Sequence, residues 1–173
     1  MVMNGYYKNQ EATDEVITPD GWFRTGDLGT CDRHNCYKIT GRCKNVIVTK
    51  NGKNIFPEEV ELYLNTNPVI EESIVYADDV DDETLVSVQI YPNYEQIKNN
   101  LKRQDITKED VQKSVEEAVK DVNKKLPKYK NIRDFDIRDI EFVKTTTAKI
   151  KRQANLEETT TTETTETVEK TEE

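Results

Sequence analysis

The sequence predicts an α+β fold: a small two-layer α/β sandwich, with helices covering a short mixed sheet, preceded by a hairpin-rich segment. Three observations predict it. All six glycines fall at or before Gly52, leaving 121 residues with none, so a loop-rich start precedes regular elements. From about residue 43 to 152 the apolar patterns run strand, helix, strand, strand, helix, strand. Two of these patterns have different periods. Val86, Val88 and Ile90 alternate with Ser87 and Gln89, whereas Val111, Val115, Ala118, Val119, Val122 and Leu126 recur at helical spacing.

Residues 26–41, "GDLGTCDRHNCYKITG", read as a hairpin around the polar turn Asp32-Arg33-His34-Asn35. An apolar strand at 46–49 leads to the turn Asn51-Gly52 and a second short strand. Pro57 suits the first position of a helix, Glu58 and Glu59 favour its positive end, and Pro68 limits it. Strands follow at 73–77 and 84–91, the second expected to bury one face. Residues 93–106 are polar, with room for a short helix. The clearest helix spans 107–126: Thr107 with Asp110 forms a variant of the capping box, and Pro127 ends it. One or two more strands are expected in 132–143.

The 173 residues are 34% hydrophobic and 34% charged, so any core is modest. The net charge of −9 is unevenly spread: residues 157–173 hold seven Glu and one Lys, contributing −6. With almost nothing to bury, that Thr/Glu-rich run is expected to be disordered. The acidity argues against a nucleic-acid partner. Cys31, Cys36 and Cys43 show neither a paired spacing nor a zinc pattern, and His34 is the single histidine, so no metal site and ordinary reduced thiols are expected. No apolar run reaches membrane-spanning length, and the expected compartment is the cytoplasm.

Three stretches carry chemistry: "GWFRTGDLG" (21–29), "GRCKNVIVTKNGKNIFPEEVE" (41–61) and "TTTAKIKR" (145–152). Their order and spacing resemble the adenylate-forming superfamily of acyl-CoA synthetases, peptide-synthetase adenylation domains and luciferases. The form of the last two is most similar to bacterial AMP-forming long-chain fatty-acid–CoA ligases. The family's Ser/Thr/Gly-rich phosphate loop does not occur in the chain. The resemblance therefore implies the edge of the large N-terminal domain in residues 1–41, a hinge at 42–44, the mobile C-terminal domain at 45–156, and the tail at 157–173.

On the residues alone, Asp27 reads as an aspartate capping a hairpin turn, Arg42 and Lys44 as solvated side chains, Gly52 as an ordinary Asn-Gly turn, and Lys144, Lys149, Lys151 and Arg152 as a solvated basic run. The resemblance implies specific roles. Asp27 accepts hydrogen bonds from both ribose hydroxyls of ATP, a match of two carboxylate oxygens to a vicinal diol. Arg42 faces the nucleotide. Lys44 is the hinge about which the C-terminal domain swings. The Gly52 turn lines the path of the CoA pantetheine arm. Lys149 is the catalytic residue, its ammonium bridging the substrate carboxylate and the α-phosphate. Ala148 stands where the family often has Gly or a polar residue, which stiffens that loop. Trp22 and Phe23 are expected to pack rather than touch ligand. The implied activity is ATP-dependent adenylation of a carboxylic acid, a fatty acid by this resemblance, followed by transfer to CoA. Mg2+ would accompany ATP, and the N-terminal domain of the same enzyme would be the partner. The chain alone is expected to be inactive. Two alternatives stay open: a stand-alone non-catalytic interaction module, and a ligase for another carboxylic acid.

Overall fold

The computed structural model describes residues 2–80 and 83–156. They form two compact units, the first reaching Glu59 and the second beginning at Val60. The Thr/Glu-rich run expected at 157–173 lies outside the described residues.

In the first unit, helix α1 (Gln10–Val16) was not foreseen from the sequence. Its seven polar-rich residues carry no long apolar stripe for a period to reveal. Its start is fixed locally: the Asn9 side chain accepts from the Ala12 N–H at 3.1 Å. The expected hairpin follows. Strand β1 (Asp27–Cys31) pairs antiparallel with β2 (Tyr37–Arg42), with an irregular register between Leu28 and Gly29. Asp32 sets the turn, its Oδ1 accepting from the N–H groups of His34 and Cys36 at 2.8 and 2.9 Å. Asn35 takes a φ of 59°, a left-handed backbone that asparagine tolerates.

After a 3-10 turn at Cys43–Asn45, β3 (Ile47–Val48) pairs with β4 (Asn54–Ile55) as a separate two-stranded ribbon. The strand read at 46–49 therefore does not join the larger sheet. Thr49 is taken by the turn instead, exchanging bonds with Lys53: the Thr49 N–H donates to the Lys53 carbonyl at 3.0 Å, and the Lys53 N–H to Thr49 Oγ1 at 3.1 Å.

Helix α2 (Pro57–Asn65) opens with Pro57, Glu58 and Glu59, as expected, and runs into the second unit. There β5 (Ile70–Val80), β6 (Glu83–Pro92) and β7 (Asp134–Ile137) form one sheet in that order. The β5–β6 pair is antiparallel and the β6–β7 pair parallel, which is the mixed sheet predicted. Helix α3 (Tyr94–Leu101) fills part of the polar stretch, capped by Asn93. Helix α4 (Lys108–Lys125) begins with both arms of the Thr107–Asp110 capping box. The backbone bond from Thr107 is the main reason the Asp110 carboxyl sits below the usual carboxylate range. The α4 stripe Val111, Val115, Ala118, Val119 and Val122 is buried, as are Ile74, Val75, Val86, Val88 and Ile90 of the sheet. Asn123 of α4 bonds both the N–H and the carbonyl of Ile132, at 2.9 and 3.0 Å, and so fixes the chain just before β7.

One expectation changes. Ser87 and Gln89 are each 1% exposed, so β6 is buried on both faces rather than one. A central strand can bury a glutamine when the amide is satisfied, and Gln89 Oε1 accepts from Arg138 Nη1 at 3.2 Å. Within 132–143 there is one strand, β7, in line with the one or two expected. Past Ile137 the chain leaves the sheet, Arg138 stacks 4.9 Å over the Phe142 ring, and Phe142 is buried. No described helix is long and apolar enough to cross a membrane.

Candidate functional site

In the first unit the backbone is shaped around Asp27. Gly26 has a φ of +74° with open space where a Cβ would sit, so torsion rather than crowding favours glycine here. The Gly26 carbonyl accepts from the Cys43 N–H at 2.8 Å, closing the end of the hairpin. This register places Asp27 opposite Arg42, and Arg42 Nε lies 3.1 Å from Asp27 Oδ1. The structure thus brings together the two residues expected at the nucleotide. Both stay accessible, the side chains being 30% and 64% exposed for Asp27 and Arg42. One guanidinium contact leaves a carboxylate with capacity for two hydroxyl donors.

Lys44 is exposed in the middle of the 3-10 turn, between extended backbone at Arg42 and Val46. Next to it, Asn45 Nδ2 donates to Glu58 Oε1. The other oxygen, Glu58 Oε2, is buried without a partner among the described residues and lies over Gly41, where an added Cβ would be 2.6 Å away. Sequence reasoning gave Glu58 only a helix-starting role; its contact to residues flanking 42–44 leaves no local pattern to read. Gly52, at φ +68°, is exposed in the turn between β3 and β4 with open space around it. Trp22, expected to pack, is 72% exposed, and Phe23 is 37% exposed. The tight turn from Thr18 to Trp22 is held by backbone bonds and Thr18 Oγ1, not by burial of the indole.

In the second unit Lys149 sits in a narrow hairpin. Lys144 bridges Ile150, the Lys151 N–H donates to the Val143 carbonyl at 2.8 Å, and the Thr145 N–H to the Lys149 carbonyl at 2.7 Å. Thr145 Oγ1 also accepts from the Lys149 N–H at 3.2 Å. Ala148, the departure noted above, takes a φ of 57°. That is a left-handed turn position where glycine would be at ease.

The basic run separates into distinct roles. Lys144 Nζ pairs with Glu72 at 2.8 Å and Glu141 at 3.4 Å. The hydrogen bond to Glu72 is the main reason its ammonium is held above the ordinary lysine range. Arg152 donates from Nη1 to the Val75 carbonyl at 2.7 Å and pairs through Nη2 with Glu61 at 2.8 Å. Glu61 Oε1 in turn accepts from the Val75 N–H at 2.7 Å, so the pair covers the open backbone of edge strand β5. Lys149 is exposed, and its ammonium makes no ion pair among the described residues. Lys144 and Arg152 are thus anchored at the base of the hairpin, while Lys149 at the turn, like the exposed Lys151, makes no ion pair among the described residues.

Two further features bound the chemistry. A cleft of about 470 Å3 beside Tyr94, Ile106, Val111 and Ile137 contains none of the predicted site residues. Among the described residues no group of three or more His, Cys, Asp or Glu could hold a metal ion.

Comparison with known proteins gives consistent matches. The model of the family described as AMP-binding enzyme C-terminal domain matches residues 44–162. The long-chain-fatty-acid–CoA ligase FadD15 of Mycobacterium tuberculosis is 32% identical over 91% of this chain, and the chain spans 28% of that protein. Long-chain-fatty-acid–CoA ligase 1 of Saccharomyces cerevisiae is 42% identical over 42% of this chain and 10% of its own length. Among solved structures, ATP-bound MatB from Rhodopseudomonas palustris superimposes with a TM-score of 0.65 at 26% identity, covering 91% of this chain and 28% of that one. The adenylation domain of a carboxylate reductase from Mycobacterium chelonae reaches a TM-score of 0.74 over 87% of this chain and 24% of its own, at an identity of 22% that speaks for the fold alone.

Proposed function

The chain belongs to the AMP-binding enzyme C-terminal domain family, and from that premise we propose that it forms the C-terminal part of an AMP-forming fatty-acid–CoA ligase. The observation that carries this reading is the unpaired Lys149 ammonium at the turn of a hairpin whose base is tied down through Lys144 and Arg152. In the first half-reaction a fatty-acid carboxylate oxygen attacks the α-phosphorus of ATP, the new P–O bond forms, and pyrophosphate leaves. Two anionic groups must meet at that step. A flexible ammonium that touches both orients them and offsets the crowded negative charge. In the second half-reaction the CoA sulfur attacks the acyl carbonyl of the acyl-adenylate, the thiol proton is lost, and AMP departs with the electron pair of the broken C–O bond.

Asp27 takes the ribose hydroxyls, and Arg42, already beside it, orients the carboxylate and meets the nucleotide. Lys44 is the hinge: its exposed side chain in a short 3-10 turn places no packing demand on the backbone torsions at that residue. Rotation there withdraws Lys149 and brings the Gly52 turn to the CoA arm, with residues 45–156 moving as the C-terminal domain. Any Mg2+ enters on the ATP phosphates, because the described residues offer no metal cluster. ATP and CoA are cytoplasmic co-substrates, so the cytoplasm is the compartment this reading expects. The large N-terminal domain of the same enzyme supplies the acyl pocket.

The test is Lys149→Ala in the complete ligase, with the half-reactions assayed separately. Adenylation, read as pyrophosphate release, should fall by about a hundredfold or more, the usual effect of removing one electrostatic donor at ~3 kcal/mol. Thioester formation from supplied acyl-adenylate should keep its rate. Unchanged rates in both halves would remove Lys149 from the mechanism. A second reading, a non-catalytic docking module, draws on the exposed Tyr7, Trp22, Tyr37 and Ile39 of the first unit. Complementation separates the two: added to the separately produced large domain, the chain should raise acyl-CoA formation under the ligase reading and leave it unchanged under the module reading.

A further inference from the structure

Asn155 is fully buried, yet it belongs to none of the three motifs. Its side chain spans the base of the Lys149 hairpin. Oδ1 accepts from the Val143 N–H at 2.9 Å, while Nδ2 donates to the Val143 carbonyl at 3.1 Å and the Lys151 carbonyl at 2.7 Å. One amide thus holds both strands of the hairpin where they close. The Asn155 carbonyl accepts from Arg138 Nη1 at 3.3 Å, and the same nitrogen donates to Gln89 Oε1 in the buried central strand. A continuous line of hydrogen bonds therefore runs from the middle of the sheet through Arg138 and Asn155 to the two strands that bear Lys149. Arg152 makes a second tie, to Val75 of β5 and Glu61 of α2.

We propose that Asn155 is a positioning residue: it fixes the base of the hairpin so that only the turn carrying Lys149 can move. The proposal rests on the catalytic reading of Lys149 for its effect on rate, but not for its effect on the hairpin itself. Physical chemistry sets the division. A buried amide with three bonds to backbone gives them up if the hairpin opens, and breaking them away from water is costly. The Lys149 side chain has no comparable tether among the described residues and keeps its rotamer freedom. A lysine that must reach two anionic groups within a few tenths of an ångström works from a fixed base with a free end. Replacing the carboxamide by carboxylate is a stringent variant. Asn155→Asp keeps the acceptor for the Val143 N–H but turns a negative oxygen on the Val143 and Lys151 carbonyls, where a donor stood.

Two measurements decide it. Amide hydrogen exchange on this 173-residue chain reads the hairpin directly. In Asn155→Asp, the amides of Val143, Thr145, Lys149 and Lys151 should exchange at least tenfold faster while those of β5 and β6 keep their protection. In the complete ligase the same variant should lower kcat for adenylation at least tenfold. KM for ATP and the rate of thioester formation from acyl-adenylate should stay within twofold. Uniform loss of protection would mean that Asn155 only stabilises the whole unit, and unchanged exchange would mean that it holds nothing; either overturns the proposal. If Asn155→Asp does not fold, Asn155→Ser and Arg152→Lys are read the same way, and unaltered hairpin exchange in both sinks the idea. Lys149→Ala run alongside separates the two claims. If that variant keeps adenylation, the catalytic reading fails on its own while the exchange data still judge the clamp. If it loses adenylation but Asn155→Asp, with a loosened hairpin, does not, the positioning role is wrong.

Discussion

The hairpin of β1 and β2 and the hairpin that bears Lys149 hold their candidate charges in opposite ways. In the first, Asp27 and Arg42 face each other across neighbouring strands, and the contact is complete within one local register. In the second, the strands close on Asn155, Lys144 and Arg152, and the ties run to residues as far away in sequence as Glu61 and Gln89. The first charge is held at an exposed surface by its neighbour. The second is left free at the end of a structure braced from a distance. A group that binds a constant part of a substrate is served by local fixation, whereas a group that must enter and leave is served by a rigid base and a mobile tip.

Substitutions can break or sharpen that contrast. The largest expected effect is at the local pair. Asp27→Ala should raise KM for ATP in the complete ligase by roughly tenfold to a hundredfold, since a charge-assisted hydrogen bond contributes ~1.5–3 kcal/mol. The same change should move unfolding stability by less than about 1 kcal/mol, because the pair with Arg42 is exposed. Calorimetry alongside steady-state kinetics checks both. A large stability loss with unchanged KM would make Asp27 a structural residue.

The distant braces should behave in reverse. Arg152→Ala removes the guanidinium from Glu61 and from the Val75 carbonyl in a largely buried setting. Urea unfolding should show a loss of about 2 kcal/mol, below the full value for a buried pair because the arginine side chain is 25% exposed. A loss near zero would mean that the brace is decorative and the hairpin is held by Asn155 alone.

The smallest effect concerns the turns themselves. Both hairpins turn through a non-glycine residue at positive φ, Asn35 at 59° and Ala148 at 57°. Asparagine takes that backbone readily and alanine does not. Ala148→Gly should therefore range from neutral to about 1 kcal/mol stabilising, despite the greater freedom glycine gives the unfolded chain. A clear destabilisation in urea titration would show that Ala148 is not left-handed in solution.

These contrasts also explain what the sequence could reveal. The Asp32–Asn35 turn, the Thr107–Asp110 cap and the α4 stripe were legible because each depends on residues within a few positions of one another. Helix α1 was missed because a seven-residue polar helix has no period to read. The second buried face of β6 was missed for a different reason: nothing in "VSVQI" tells that Arg138 will satisfy Gln89. At the candidate site, Asp27, Arg42, Lys44, Gly52 and Lys149 came from motif resemblance, and their roles stand as proposals. The register pairing of Asp27 with Arg42 follows once the hairpin is drawn. Asn155, Glu61, Glu72 and the Asn45–Glu58 contact left no such trace, because each is a tertiary contact made by an otherwise ordinary polar residue.

The central claim is that Lys149 enters the nucleotide site for adenylation and leaves it for thioester formation. The most direct measurement is the rate of amine-reactive labelling at individual lysines, read by mass spectrometry on the complete ligase in two states. With a non-reactive acyl-adenylate analogue that holds the adenylation pose, Lys149 should be shielded at least tenfold relative to the free enzyme. When CoA is added to that complex, its labelling should return to the free rate, while Lys144, paired with Glu72, keeps one rate throughout. Equal labelling of Lys149 in all three conditions would contradict the account.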